Sequence, residues 1–399
     1  MFTFQAHANN RYTHAHIHFK IKLIRRMFTN VSSSKSRGET MNRTNRRGQT
    51  WCWMLAVMLL ALLTSACGSS KEGGSSGGPA GSAANTAANG ATADGTDETG
   101  ATPTTLTPIT QVTNWFAQAE HGGQYAALYK GYYEEAGLDM MIQSGGPGIS
   151  ATQIVASGKA QFGMGQADEI LFARQNGIPL VAIAGIFQKN PQAMMFHKGQ
   201  PIDSFDDLNG RKVYVGSGAA FWEYIKKQYN LDKVIELKYT GSLVNFIEDE
   251  TSVTQSYMTS EPYTMMQEGI EVDYLLNADS GYMPYGNLLF TTEQMIEEHP
   301  DVVKAYVEAS IKGWYDYKDN WAEINPFIQE SNPDMPLDKL EYSAKALQPL
   351  VYGFDAETHG VGYMSRERWE TLMNQLLDLG LLKEPLDIDK VYTTEFLPQ

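Results

Sequence analysis

Carboxylates, histidine and aromatic rings in this 399-residue chain stand where breaks in the local pattern would leave them at loop ends. Glu120 and His121 precede Gly122-Gly123 and an apolar helix. A carboxylate there meets the positive end of the helix, either as a contact for a ligand or as a cap. Glu261-Pro262 follows Tyr257-Met258-Thr259-Ser260. If buried, that carboxylate needs a donor, which an aminopyrimidine or another amine supplies; if exposed, water suffices. Ser217 and Gly218 open a helix whose free N–H groups can hold an acceptor group or only water. Trp115, Trp222, Tyr263 and Tyr282 are candidates for a platform under a flat ligand, each with core packing as its alternative. Alternation along a strand favours Trp115 over Phe116 for the cleft. Gln166 and Asp279 add polar side chains, and Gly146, within Ser144–Gly148, lets backbone approach a ligand closely. Catalytic patterns are missing: past residue 66 the histidines are His121, His197, His299 and His359, none at metal-ligand spacing from another. No G-x-S-x-G elbow stands at a strand-to-helix turn, the pattern occurring only in the Gly/Ser-rich run Gly73–Gly78, and Gly163-Met164-Gly165 lacks the rest of a dinucleotide fingerprint. No metal, cofactor or catalytic residue is expected.

The elements that must position these residues alternate between strand and helix. Val112–Phe116 is a β-prone run, broken by small and polar residues up to Gly123. Tyr125, Leu128, Tyr129, Tyr132 and Tyr133 recur at helical steps, Gly137 stops the helix, and Leu138–Ile142 gives the next strand. Leu180–Gln188 is nearly continuously apolar, as for a strand covered on both faces. Further strands are expected at Gln161–Gly165, Met194–His197, Lys212–Val215, Glu236–Tyr239, Gln255–Met258, Asp273–Leu276 and Asn287–Phe290, and a helix at Pro300–Asn320. The class is α/β.

Five stretches carry a resemblance: EHGGQYAALYKGYYEEAGLD (Glu120–Asp139), GKAQFGMGQADEIL (Gly158–Leu171), GIPLVAIAGIFQKNPQ (Gly177–Gln192), DLNGRKVYVGSG (Asp207–Gly218) and YMTSEPY (Tyr257–Tyr263). In this order they resemble the solute-binding proteins of the nitrate/sulfonate/taurine and thiamine-pyrimidine type that feed ABC importers, from about Pro108 to the C-terminus. The resemblance implies a two-lobed periplasmic-binding-protein fold of type II, with a ligand cleft between lobes and two hinge crossovers. Lobe 1 is then 108–200 and 284–399, and lobe 2 is 201–283. It also implies a permease and an ATPase as partners, and a carrier, not an enzyme. Two carboxylates at the cleft would be costly beside an anion, so a planar nitrogenous solute such as a thiamine pyrimidine precursor is expected. Sulfonate, taurine or nitrate is the alternative if the helix end at Ser217 dominates. The fold family also includes pyrimidine-biosynthetic enzymes that use a histidine and a cysteine-rich motif, and this chain has no such motif. A sensor subunit is a further alternative.

The front of the chain reads as an export segment. Residues 1–40 are polar and basic, and Met41 is the expected start. Arg43, Arg46 and Arg47 precede the apolar run Trp51–Leu63, too short to span a bilayer comfortably. Leu63-Thr64-Ser65-Ala66-Cys67 resembles a bacterial lipoprotein cleavage box, although Thr64 stands where that pattern usually has Leu. Lipidation of Cys67 would hold the protein to the outer face of the membrane. Gly68–Thr107 is rich in Gly, Ser, Ala and Thr, a flexible linker with an r.m.s. span of roughly 35 Å. Residues 1–66 hold 10 of the 31 Lys and Arg and one of the 46 acidic residues, which leaves the remainder at 21 − 45 = −24. Such a charge argues against nucleic acid as a partner, and a monomer is expected.

Overall fold

The computed structural model describes residues 105–399. The expected export signal, Cys67 and nearly all of the linker lie outside them. Ten strands form two five-stranded sheets: β1 Thr107–Val112, β2 Leu138–Gln143, β3 Phe162–Gly165, β4 Leu180–Ala184, β5 Gln192–His197, β6 Lys212–Val215, β7 Ile235–Lys238, β8 Val253–Tyr257, β9 Val272–Leu276 and β10 Leu288–Thr292. The first sheet has the order β2-β1-β3-β10-β4 and the second β7-β6-β8-β5-β9. In each, the fourth strand alone runs antiparallel to its neighbours: β10 against β3 and β4, and β5 against β8 and β9. Both odd strands are the first laid down after the chain changes sheets. The fold is thus α/β with two lobes, two crossovers and a cleft between, the type II periplasmic-binding-protein arrangement.

The strand β5 was expected in the first lobe, with the crossover at 199–201. It pairs instead within the second sheet, Ala193 opposite both Ser256 and Leu276, so the crossing falls between Ala184 and Gln192. The return crossing runs between Leu276 and Leu288, and the two segments touch through reciprocal backbone bonds between Phe187 and Gly286. Arg368 from the helix Arg366–Asp378 braces the return segment. Its guanidinium donates to the Met283 carbonyl at 2.7 Å and lies over the Tyr285 ring at 3.9 Å.

The apolar pattern explains the core. All five residues of β4, Leu-Val-Ala-Ile-Ala, are buried, as a strand covered on both faces requires. The first strand is Thr107–Val112, not the expected 112–116, which frees residues 114–118 to form a turn beyond its end. The expected tyrosine-rich helix is two, Gly122–Tyr129 and Tyr132–Glu135, broken at Gly131, whose φ of 74° is left-handed. Gly122 and Gly123 let the first of these lie directly on the helix Pro300–Ser331. A Cβ would stand 2.2 Å from the Tyr317 ring at Gly122 and 2.2 Å from the Trp314 ring at Gly123. That long helix leaves helical geometry at Asn320. Among the described residues no helix is long and apolar enough to cross a membrane.

Candidate ligand cleft

A cavity of about 270 Å³ lies between the two sheets, and the strand polarity dictates what lines it. The first sheet contributes Asn114, Trp115 and Gln118 after β1, Gln166 and Glu169 after β3, and Asn287 before the antiparallel β10. The second contributes the same three places, Phe221 after β6, Tyr257 at the end of β8 with Ser260 and Glu261 beyond it, and Gln192 at the start of the antiparallel β5, and adds Tyr239 after β7 and Gln255 and Ser256 within β8. Every contribution comes from a C-terminal end of a parallel strand or the N-terminal end of an antiparallel one, apart from Gln255 and Ser256 within β8. In open parallel sheets that edge is where ligands bind.

The chemistry of the lining is uneven. Six amide side chains, two serines, two tyrosines, Trp115, Phe221 and two carboxylates face the space, and no Lys or Arg is among them. Glu261 Oε2 accepts the backbone N–H of Tyr257 at 2.7 Å, and burial pushes its carboxyl up. Glu169 Oε2 accepts the N–H of Gln166 at 3.0 Å. The residue is exposed toward the cleft, and desolvation of its carboxyl with the neighbouring Asp168 charge pushes it up to about 7. Gln166 joins the lobes, donating to Tyr257 Oη at 3.0 Å and accepting from Asn190 Nδ2 at 2.7 Å. Among the described residues no cluster of three or more His, Cys, Asp and Glu is arranged to hold a metal.

Of the twelve expected site residues, Trp115, Gln166 and Glu261 border this cavity, and Gly218 borders an adjoining one. The others stand elsewhere for identifiable reasons. Glu120 is 1% exposed, and its carboxylate accepts the Thr259 hydroxyl from the other lobe, behind the cavity. Burial raises Glu120 to about 7, against the lowering effects of Thr259 and Lys339. His121 is also enclosed, with Nε2 3.0 Å from Asn114 Oδ1, and burial lowers it to about 3. Gly122 serves the helix contact with Tyr317. Gly146 packs on the Phe116 ring, 3.0 Å from where its Cβ would be, while Gly145 donates to the Trp115 carbonyl at 3.1 Å, so that turn approaches protein backbone and not the cavity. Ser217 is exposed outside the lining. Trp222 is wholly buried with its indole N–H on Glu236, and Tyr282 is buried with its hydroxyl donated to Asp168 at 2.9 Å. Tyr263 packs against Tyr342 at 5.2 Å. Phe116 and Asp279 also lie outside the lining, Asp279 in an ion pair with Lys189 at 2.6 Å.

The sequence profile described as NMT1/THI5 like matches residues 118–323, just over half of the chain. The chain belongs to the NMT1/THI5-like family. It is 26% identical over 308 residues to the riboflavin-binding protein RibY of Chloroflexus aurantiacus, covering 74% of this chain and 87% of that protein. It is 25% identical over 309 residues to the formylaminopyrimidine-binding protein of Halalkalibacterium halodurans, covering 72% and 90%. It is 24% identical over 313 residues to the 4-amino-5-hydroxymethyl-2-methylpyrimidine phosphate synthase of Candida albicans, covering 72% and 88%. Among solved structures, the periplasmic aliphatic sulphonate binding protein SsuA of Escherichia coli superposes with a TM-score of 0.58 at 12% identity, covering 73% and 94%, which establishes the shared fold.

For this NMT1/THI5-like chain, the lining residues that sequence reasoning missed are chiefly amides: Asn114, Gln118, Gln192, Gln255 and Asn287. Asn114, Gln192 and Asn287 sit at or within two residues of a strand end, where a polar side chain reads as turn chemistry. Gln255 inside β8 carried a signal, since an amide between Val253 and Tyr257 interrupts an otherwise apolar and hydroxylated strand. Phe221 in place of Trp222 is a matter of one step of about 100° around a helix.

Proposed function

We propose that the chain is the extracytoplasmic substrate-binding lipoprotein of an ABC importer and that it captures a small planar nitrogenous solute, such as a thiamine pyrimidine precursor. The observation that carries this reading is a cavity lined by amides, hydroxyls, Trp115 and Phe221, with Glu169 and Glu261 and without Lys or Arg. A sulfonate or nitrate would meet two carboxylates and no cation; a ring bearing amino groups finds acceptors at both glutamates and the amides, with an aromatic face against which to lie. The two relatives named as binding proteins take riboflavin and a formylaminopyrimidine, both planar nitrogen heterocycles. Cys67, lipidated after removal of residues 1–66, anchors the protein through the linker, and the partners are a membrane permease and its ATPase. Ligand contacts from both lobes favour the closed form, because only that form makes both sets.

Thermal unfolding against a panel of aminopyrimidines, flavins, thiamine, taurine, alkanesulfonates and nitrate tests the reading. A ligand at 100 times its Kd stabilises by about 2.7 kcal/mol. A selective shift with a heterocycle supports it, and a shift only with sulfonates or nitrate overturns it. The likeness to the Candida albicans synthase raises a second reading, an enzyme of pyrimidine biosynthesis. Against it, no His or Cys lines the cavity, and the two cysteines of the chain are Cys52 and Cys67. Formation of a pyrimidine product by the purified protein, followed by mass spectrometry, would establish that second reading.

A further inference from the structure

The cleft does not end at the first cavity. A second, of about 260 Å³, shares the wall formed by Gln166, Glu169, Gln192 and Phe221, and continues toward the return crossover at Pro284. Its own lining adds Asp168 and Phe172 from the first lobe and Gly218–Ala220 from the second. Small-molecule and cofactor sites run from roughly 300 to 1,000 Å³. The first cavity alone falls just short of that range, and the two together fall inside it. The second compartment is acidic as well: Asp168 and Glu169 are adjacent, and no Lys or Arg lines it. Asp168 is held by the Tyr282 hydroxyl at 2.9 Å, and Glu169 by the Gln166 N–H at 3.0 Å, so both carboxylates are fixed in place. A phosphate there would face two carboxylates without a counter-charge, whereas hydroxyl or amine donors would find acceptors.

We infer that the ligand is bipartite: a planar heterocyclic head between Trp115 and Glu261, and a donor-rich, unphosphorylated tail in the compartment bounded by Asp168, Phe172 and Ala219. This inference rests on the proposed function and extends it to a substrate class, a heterocycle with a polyol or amine-bearing arm. Because the tail meets both lobes and the crossover at Pro284, its length bears directly on closure.

The test is calorimetric titration of the full chain with two matched series. One is lumichrome, riboflavin and riboflavin 5′-phosphate; the other is 4-amino-5-hydroxymethyl-2-methylpyrimidine, thiamine and thiamine diphosphate. In the series whose head binds, the tailed member is expected to bind at least tenfold tighter than the bare head. Its phosphorylated form is expected to bind at least tenfold weaker than the tailed member. Ala219→Phe, which fills the second compartment, brings the tail's advantage down toward one, and Asp168→Asn narrows the discrimination against phosphate. Equal affinity for head and tailed member in the wild type overturns the inference while leaving the proposed function standing. Failure of every member of both series to bind refutes the proposed function, and the bipartite ligand falls with it.

Discussion

Glu120→Gln isolates the cost of a carboxyl enclosed between lobes. Glu120 is 1% exposed; Thr259 donates to Oε1, Oε2 has no partner, and the carboxyl is raised from 4.5 to about 7, chiefly by burial. A group whose folded pKa lies above its unfolded value contributes stability that is fully present below pH 4.5 and is lost as pH rises through 7. At 1.36 kcal/mol per pH unit, the loss comes to about 3 kcal/mol by pH 8. Glutamine keeps the shape and an acceptor for Thr259 but does not ionise. The stability of Glu120→Gln relative to wild type therefore rises by about 3 kcal/mol between pH 4.5 and 8, with the change concentrated below pH 7. Urea unfolding of both proteins at pH 4.5, 6, 7 and 8, at constant salt, measures it, and equal m-values confirm that the same surface is being exposed. A difference that stays constant across that range would refute the reasoning, since it would mean that the Glu120 carboxylate ionises as freely in the fold as in the unfolded chain.

The neighbouring residue gives the opposite sign. His121 is lowered from 6.5 to about 3 by burial, so its contribution is present above pH 6.5 and lost as pH falls toward 3. His121→Gln should gain on wild type on acidification, by up to about 5 kcal/mol at pH 3, read from the same unfolding curves. Gly123→Ala places a Cβ against the Trp314 ring and should cost about 1–3 kcal/mol of unfolding free energy at any pH. Trp115→Ala, at a residue 37% exposed at the cleft mouth, should change unliganded stability by no more than about 0.5 kcal/mol. It should weaken heterocycle binding by roughly tenfold in titration, the loss of one aromatic face; unchanged affinity would remove Trp115 from the site.

Much of the fold was legible because it depends on local periodicity. The all-apolar β4, the strand-helix alternation and most strand positions follow from patterns of a few residues. The strand Gln192–His197 was not placeable in that way. Its sequence says that it is a strand, but which sheet it completes depends on pairing with β8 and β9, laid down about sixty and eighty residues later. The site was less legible for a related reason. Glu120 and His121 have the residue types of a ligand contact, yet the short turn Ala119–His121 points them inward, to Thr259 and Asn114. Side-chain direction at a turn depends on one or two dihedrals, and composition does not encode these.

The placement of Glu120 shifts its role from contact to closure. Thr259, which bonds it, accepts the Ser343 hydroxyl at its own carbonyl, and Tyr342 donates to the Met258 carbonyl at 3.2 Å. The corner between β8 and the helix Glu261–Gln267 is therefore held from lobe 1 on two sides, by Glu120 and by the helix Leu337–Ala346. Glu261 begins at that corner and faces the cavity. A ligand donor that engages Glu261 thus pulls on the same few residues that tie the lobes together behind the cleft. Lys339 lies close enough to lower both Glu120 and Glu261 without lining the cavity. Lys339 thus stands behind the acidic cleft, where it eases the charge of both carboxylates from outside the cavity lining.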